Sequence, residues 1–190
     1  MLLVTCFHYN PSEQNINIEG VVYSHQSIAK LVFIFYTWCC YNAHTINSII
    51  MQPGTSDLVL CDKFNGALWS LLEGTESELQ IIVLGHTDCP AMQLALDAST
   101  GVRVFPPPPW VRRVLGPVIQ DADENPCSTV ADLARRNVIR QVSGIRESPY
   151  LRPPPQSTGR TITIIGYLQE ENNPNLTEVV KVVLEYPAGA

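Results

Sequence analysis

His86 and Cys89 stand three residues apart, just beyond the apolar run Leu79-Gln80-Ile81-Ile82-Val83-Leu84-Gly85. An imidazole and a thiol at this spacing, on the loop that leaves a strand, are half of a zinc site, because Zn²⁺ accepts neutral nitrogen and thiolate sulfur together. A second apolar run, Lys30-Leu31-Val32-Phe33-Ile34-Phe35-Tyr36, is followed by Cys39-Cys40. Parallel pairing of the two runs in one sheet would bring their ends to the same edge, where open α/β sheets bind ligands. Sulfur, nitrogen and sulfur would then meet, leaving a fourth position for water as catalytic zinc requires. The alternative role for Cys39, Cys40 and Cys61 is that of small core hydrophobes.

Composition narrows the classes of function. The chain has 190 residues, 45% of them apolar, which suits one domain spanning residues 1–190. A formal charge of −6 gives no general attraction for phosphate backbones or anionic lipid, so a small-molecule substrate is expected rather than nucleic acid or a membrane surface. The most apolar stretch, Leu31 to Cys40, is about half the length of a bilayer span. Met1-Leu2-Leu3-Val4 lacks a basic n-region and is soon interrupted by His8, Asn10 and Pro11, which argues against a signal peptide and for a cytoplasmic location. Cys6, Cys39, Cys40, Cys61, Cys89 and Cys127 match no small disulfide framework and read as core thiols or metal ligands of a reducing compartment. Asn175-Leu176-Thr177 is formally a glycosylation sequon, which matters only in a secreted chain.

The elements that must position these residues follow from pattern. Residues 30–36 are continuous, β-branched and aromatic, as in a strand covered on both faces. Asp57-Leu58-Val59-Leu60-Cys61 reads as a second strand, residues 66–73 as a helix, and Leu79 to Leu84 as a third strand closed by Gly85. A helix beginning beside Pro90 takes in Ala91 to Leu96. Residues 101–126, with Pro106-Pro107-Pro108-Pro109, read as irregular, and the proline run as extended. Ser128 or Thr129 caps a helix running to Ser143, with Val130, Leu133, Ala134, Val138, Ile139 and Val142 on its apolar face. Arg135, Arg136 and Arg140 fall largely elsewhere, as a solvated face or dimer contacts. Pro153 to Pro155 mark a loop, and strands follow at Thr161 to Tyr167 and Val179 to Leu184. The expected class is α/β, a mainly parallel β-sheet flanked by helices, with an added C-terminal strand.

Gly85-His86-Thr87-Asp88-Cys89-Pro90-Ala91-Met92 resembles the second zinc motif of the β-class carbonic anhydrases, Gly-His-x-x-Cys followed by small residues. Asn137-Val138-Ile139-Arg140-Gln141-Val142, Pro149, Gly159 and Ile164-Ile165-Gly166-Tyr167 look like that family's long helix and late strand, and the likeness covers roughly residues 26–170. The family's first motif is Cys-x-Asp-x-Arg. Cys40-Tyr41-Asn42-Ala43-His44 supplies the cysteine, with Asn42 for the aspartate and His44 for the arginine, and Cys39 as an alternative ligand.

This resemblance implies a β-carbonic-anhydrase-like fold and a Zn²⁺ cofactor held by Cys40, His86 and Cys89. It implies Asn42 and His44 in the catalytic positions and Gln26 lining the substrate pocket. The implied reaction is attack of zinc-bound water or hydroxide on CO₂ or a related electrophile, in a homodimer or higher homo-oligomer. Asn42 accepts a hydrogen bond but is neutral, and His44 is shorter than arginine and only partly charged at neutral pH. A repurposed enzyme or a zinc-stabilised interaction protein is therefore the alternative.

Overall fold

The structure, a computed structural model, describes residues 2–6, 16–18, 21–23, 48–52, 72, 77–102, 109–151, 159–170 and 175–187. Among these the order along the chain is β1 (Leu2–Cys6), β2 (Ile16–Ile18), β3 (Val21–Tyr23), β4 (Ser48–Gln52) and β5 (Glu78–His86), then α1 (Pro90–Ser99), α2 (Pro109–Glu124) and α3 (Val130–Glu147). A 3₁₀ turn (Pro149–Leu151) leads to β6 (Arg160–Gln169) and β7 (Leu176–Tyr186).

Five strands form one sheet in the order β4-β1-β5-β6-β7. The first four are parallel, and β7 returns antiparallel to β6. Such a sheet needs cover on both faces, which is why β5 and β6 are almost uniformly apolar rather than alternating. Ile82, Val83, Leu84, Ile164 and Ile165 are fully buried. β7, at the margin, alternates: Val182, Leu184 and Tyr186 pack on the core while Lys181, Val183 and Glu185 are exposed. β2 and β3 pair antiparallel in a separate ribbon that lies near β7 without joining its ladder.

Helix α3 is the main cover of one face. Thr129 caps it, its hydroxyl accepting from the Asp132 N–H at 3.1 Å, and Leu133, Ala134, Val138, Val142 and Ile145 are buried. The helix lies close because β5 and β6 carry Gly85 and Gly166 beneath it. A methyl group at Gly85 would stand 2.5 Å from Val138 Cγ2, and one at Gly166 would stand 2.6 Å from Val138 Cγ1. Tyr186 ties the end of β7 to the 3₁₀ turn, its hydroxyl donating to the Leu151 carbonyl at 2.5 Å. Burial pushes this phenol above its ordinary range, which keeps it protonated and donating.

Several expectations are corrected. Residues 109–124 are helical, not irregular: Pro109 occupies a first turn, where its missing N–H costs nothing, and Leu115, Val118 and Ala122 bury one stripe. The third expected strand does not close at Gly85 but continues through His86, because β6 keeps pairing as far as His86↔Gln169. Ile139, assigned to the apolar face of α3, is 36% exposed, since the buried stripe turns instead through Asn137 and Gln141. α3 and β7 also extend beyond their expected ends, to Glu147 and across Leu176–Tyr186. The strands expected at 30–36 and 57–61, most of the helix expected at 66–73, and the runs Pro106–Pro108 and Pro153–Pro155 lie outside the described residues. No described helix is long and apolar enough to cross a membrane.

Candidate metal centre

His86 is the last residue of β5, Thr87 and Asp88 form a turn, and Cys89 is the N-cap of α1. This is a strand, turn, helix unit at the carboxyl edge of a parallel sheet. The turn is held by the Thr87 N–H donating to the carbonyl of Gln169, the last residue of β6, at 3.0 Å. Pro90 opens α1, and the Cys89 carbonyl accepts the first helical bond from the Gln93 N–H at 3.0 Å. Cys89 is extended at φ −66°, ψ 114°, and its side chain does not cap the helix.

His86 and Cys89 are both buried, at 6% and 3% exposure. The His86 ring is oriented by Asp88, whose Oδ1 accepts from Nδ1 at 2.8 Å. A proton on Nδ1 puts the imidazole lone pair on Nε2, which is buried. Carboxylate, histidine and metal in series is the usual way a ligating imidazole has its tautomer fixed and its basicity raised. Replacing Asp88 by Asn removes the charge while keeping an acceptor, so zinc affinity in Asp88→Asn should fall about 10- to 100-fold in a chelator competition. An unchanged affinity would separate Asp88 from the metal.

Among the described residues no group of three His, Cys, Asp or Glu side chains is gathered closely enough to hold a metal ion. The backbone register supplies the next candidate. β1 lies between β4 and β5 and is parallel to both, with Thr5 opposite Leu84 in β5. Cys6, one residue on, is the last residue of β1, and β5 runs two residues beyond Leu84 to His86. Two adjacent parallel strands therefore end at the same edge of the sheet, one on a cysteine and the other on a histidine. Cys40, Asn42, His44 and Gln26, with the alternative Cys39, lie outside the described residues. In the sequence Cys6 is one thiol among six. The available signal was Leu2-Leu3-Val4-Thr5-Cys6, a short apolar run ending on a potential ligand as Ile82 to His86 does.

The architecture has solved counterparts. A β-carbonic anhydrase from Coccomyxa, determined in complex with acetazolamide, superposes with a TM-score of 0.57 over 97% of this chain and 73% of that one, at 15% identity. The chain has a β-carbonic-anhydrase-like fold. A β-carbonic anhydrase isoform I from Trichomonas vaginalis aligns with 94% of this chain and 81% of its own, at 17% identity and a TM-score of 0.45. No family model matches the sequence, and no curated protein matches it. Within the β-carbonic-anhydrase-like fold, the strand carrying Gly85-His86 and the helix opening at Cys89-Pro90 are the parts of the expected motif that the structure describes side by side.

Proposed function

We propose that this chain is a zinc protein of the β-carbonic anhydrase kind, with Cys6, His86 and Cys89 as its metal ligands and CO₂ or a related small electrophile as its substrate. The observation that carries the reading is the adjacency of β1 and β5, which end at the same edge of the sheet on Cys6 and His86, with Cys89 beginning α1 three residues later. One nitrogen and two sulfurs fit Zn²⁺ and leave room for a fourth, exchangeable ligand. Bound zinc would supply a Lewis acid that makes water nucleophilic near neutral pH.

The chain's own residues would do the rest. Asp88 holds the His86 ring in the tautomer that offers Nε2. The two thiolates would offset the charge of the dication. Val138 Cγ2 and the Ala134 carbonyl of α3 stand over Gly85, the residue before the buried His86. Gln26 is retained as the proposed substrate contact.

Cys6-Phe7-His8-Tyr9-Asn10 sets His8 and Asn10 at the spacings of the aspartate and arginine in Cys-x-Asp-x-Arg. Cys40-Tyr41-Asn42-Ala43-His44 likewise lacks both. This shared departure favours a second reading, a zinc-stabilised protein without carbonic anhydrase activity. Elemental analysis of material never exposed to chelator, followed by stopped-flow CO₂ hydration, decides between them. About one zinc per chain and a rate above buffer are expected. Zinc without that rate would establish the second reading, and a metal-free protein would sink both.

A further inference from the structure

β5 and β6 run side by side to the carboxyl edge of the sheet and finish on a polar pair, His86↔Gln169. Strand partners share a face of the sheet, and successive residues along a strand alternate between faces. The intervening pair, Gly85↔Leu168, shows which face is which: a methyl group at Gly85 would stand 2.5 Å from Val138 Cγ2 of α3 and 3.4 Å from Leu168 Cδ1. Gly85 and Leu168 therefore look toward α3, and His86 and Gln169 look the other way. The pairs that precede them on that second face, Leu84↔Tyr167 and Ile82↔Ile165, are buried.

Gln169 is 2% exposed, at the end of the run Ile164-Ile165-Gly166-Tyr167-Leu168. Burying a carboxamide costs free energy unless its groups are hydrogen-bonded. The main chain of Gln169 is tied to the ligand-bearing turn, its carbonyl accepting from the Thr87 N–H at 3.0 Å. Across that turn Asp88 Oδ1 accepts from His86 Nδ1 at 2.8 Å, which leaves Nε2 for the metal. Neighbouring strands lie about 4.8 Å apart, so Gln169 and His86 are adjacent posts on one face. Of the buried side chains described at this edge, Cys89 and His86 are spent on the metal, and Gln169 is the one with N–H groups to offer a ligand.

We propose that Gln169 is a second substrate contact, which makes the site select oxygen-ended ligands, its carboxamide N–H donating to an oxygen of a carbonate-type anion beside the metal position. The inference rests on the zinc reading above, and it narrows the small electrophile of that reading to oxygen species over their sulfur analogues. A carboxamide has two N–H donors and an acceptor oxygen, so one N–H serves the ligand while its other groups stay bonded to the protein. Oxygen carrying negative charge accepts strongly, and sulfur accepts weakly. A donor fixed on a strand end therefore discriminates between the two.

The test is calorimetric titration of the zinc-loaded chain with bicarbonate and with thiocyanate, a linear anion ending in sulfur, for the native protein, Gln169→Met and Gln169→Asn. Zinc content is measured first in each. Methionine keeps the length of the side chain without its donor, and asparagine holds the donor one methylene short, so either variant decides if the other does not fold. In Gln169→Met the bicarbonate affinity should fall on the order of tenfold or more, with thiocyanate affinity within about twofold of native and about one zinc per chain. Gln169→Asn should move bicarbonate in the same direction by a smaller factor. Unchanged bicarbonate affinity in a folded variant would overturn the proposal. So would equal losses for both anions, which mark a general loosening, or loss of zinc, which would make Gln169 a support of the metal. A native chain that holds zinc and binds no bicarbonate overturns it and leaves the zinc centre standing, whereas a metal-free native chain removes the zinc reading and this inference with it.

Discussion

Cys6→Ser and Cys89→Ser should each abolish stoichiometric zinc binding, while Cys40→Ser should leave it intact. A serine hydroxyl is neutral at pH 7 and a poor ligand for zinc, so each change removes both a bond and a negative charge from a site that must neutralise a dication. Zinc in protein sites of this donor type is held by roughly 10–16 kcal/mol, so one ligand's share is on the order of 3 kcal/mol, or more than a hundredfold in affinity. The loss should also appear as stability, since a ligand at a hundred times its Kd stabilises the native state by about 2.7 kcal/mol. Cys6→Ser and Cys89→Ser should therefore melt in the presence of zinc where the metal-stripped native chain melts. The contrast with Cys40 carries the discrimination. If Cys40→Ser strips the metal and Cys6→Ser keeps it, the ligand comes from the loop after residues 30–36 and the β1 assignment is wrong. A protein that keeps its zinc after Cys89→Ser would remove the motif altogether.

What was legible in the sequence divides along the range of the physical signal. β5, the turn through Cys89, and α1 could be read locally, because a β-branched run, a strand-ending glycine and a helix-opening proline sit within about a dozen residues of each other. α3 was legible for the same reason: Thr129 and Asp132 mark its start, and Leu133, Ala134, Val138 and Val142 repeat at helical spacing. β1 was not. A five-residue strand in the interior of a parallel sheet has no hairpin and no turn to announce it; its partners begin at Ser48 and Ile81, far along the chain. Locally, its apolar residues resemble only a poor leader sequence. The run at 30–36 gives the stronger local strand signal, and Cys40, the ligand expected after it, lies outside the described residues. α2 was hidden by the opposite error. Pro106 to Pro109 read together as extended, although the last proline of such a run is compatible with a helical first turn, and Leu115, Val118 and Ala122 carry the helical period.

The same strands make the second large effect predictable, this time in stability. Gly166→Ala places a methyl group 2.6 Å from Val138 Cγ1, 2.7 Å from Val180 Cγ1 and 3.2 Å from Val142 Cγ2, so it meets side chains from α3 and from β7 at once. Overpacking of this kind costs about 1–3 kcal/mol, and each kcal/mol lowers Tm by roughly 2–4 °C in a chain of this size. Gly85→Ala meets one atom much closer than the rest, Val138 Cγ2 at 2.5 Å, with Leu168 Cδ1 next at 3.4 Å. Removing that atom should relieve the crowding at residue 85 more fully than at residue 166, where Val180 still blocks the space. Denaturation of Gly85→Ala, Gly166→Ala and Val138→Ala, singly and in pairs, therefore has a defined outcome: a coupling energy of about 1 kcal/mol or more between positions 85 and 138, and a smaller one between 166 and 138. Strict additivity at both would mean that α3 does not rest on these glycines. Because Gly85 adjoins His86, the crowding there should also loosen zinc in Gly85→Ala at a temperature where the fold persists, and the added Val138→Ala change should recover part of that affinity. Close contact between α3 and β5 thus depends on the small residue before His86.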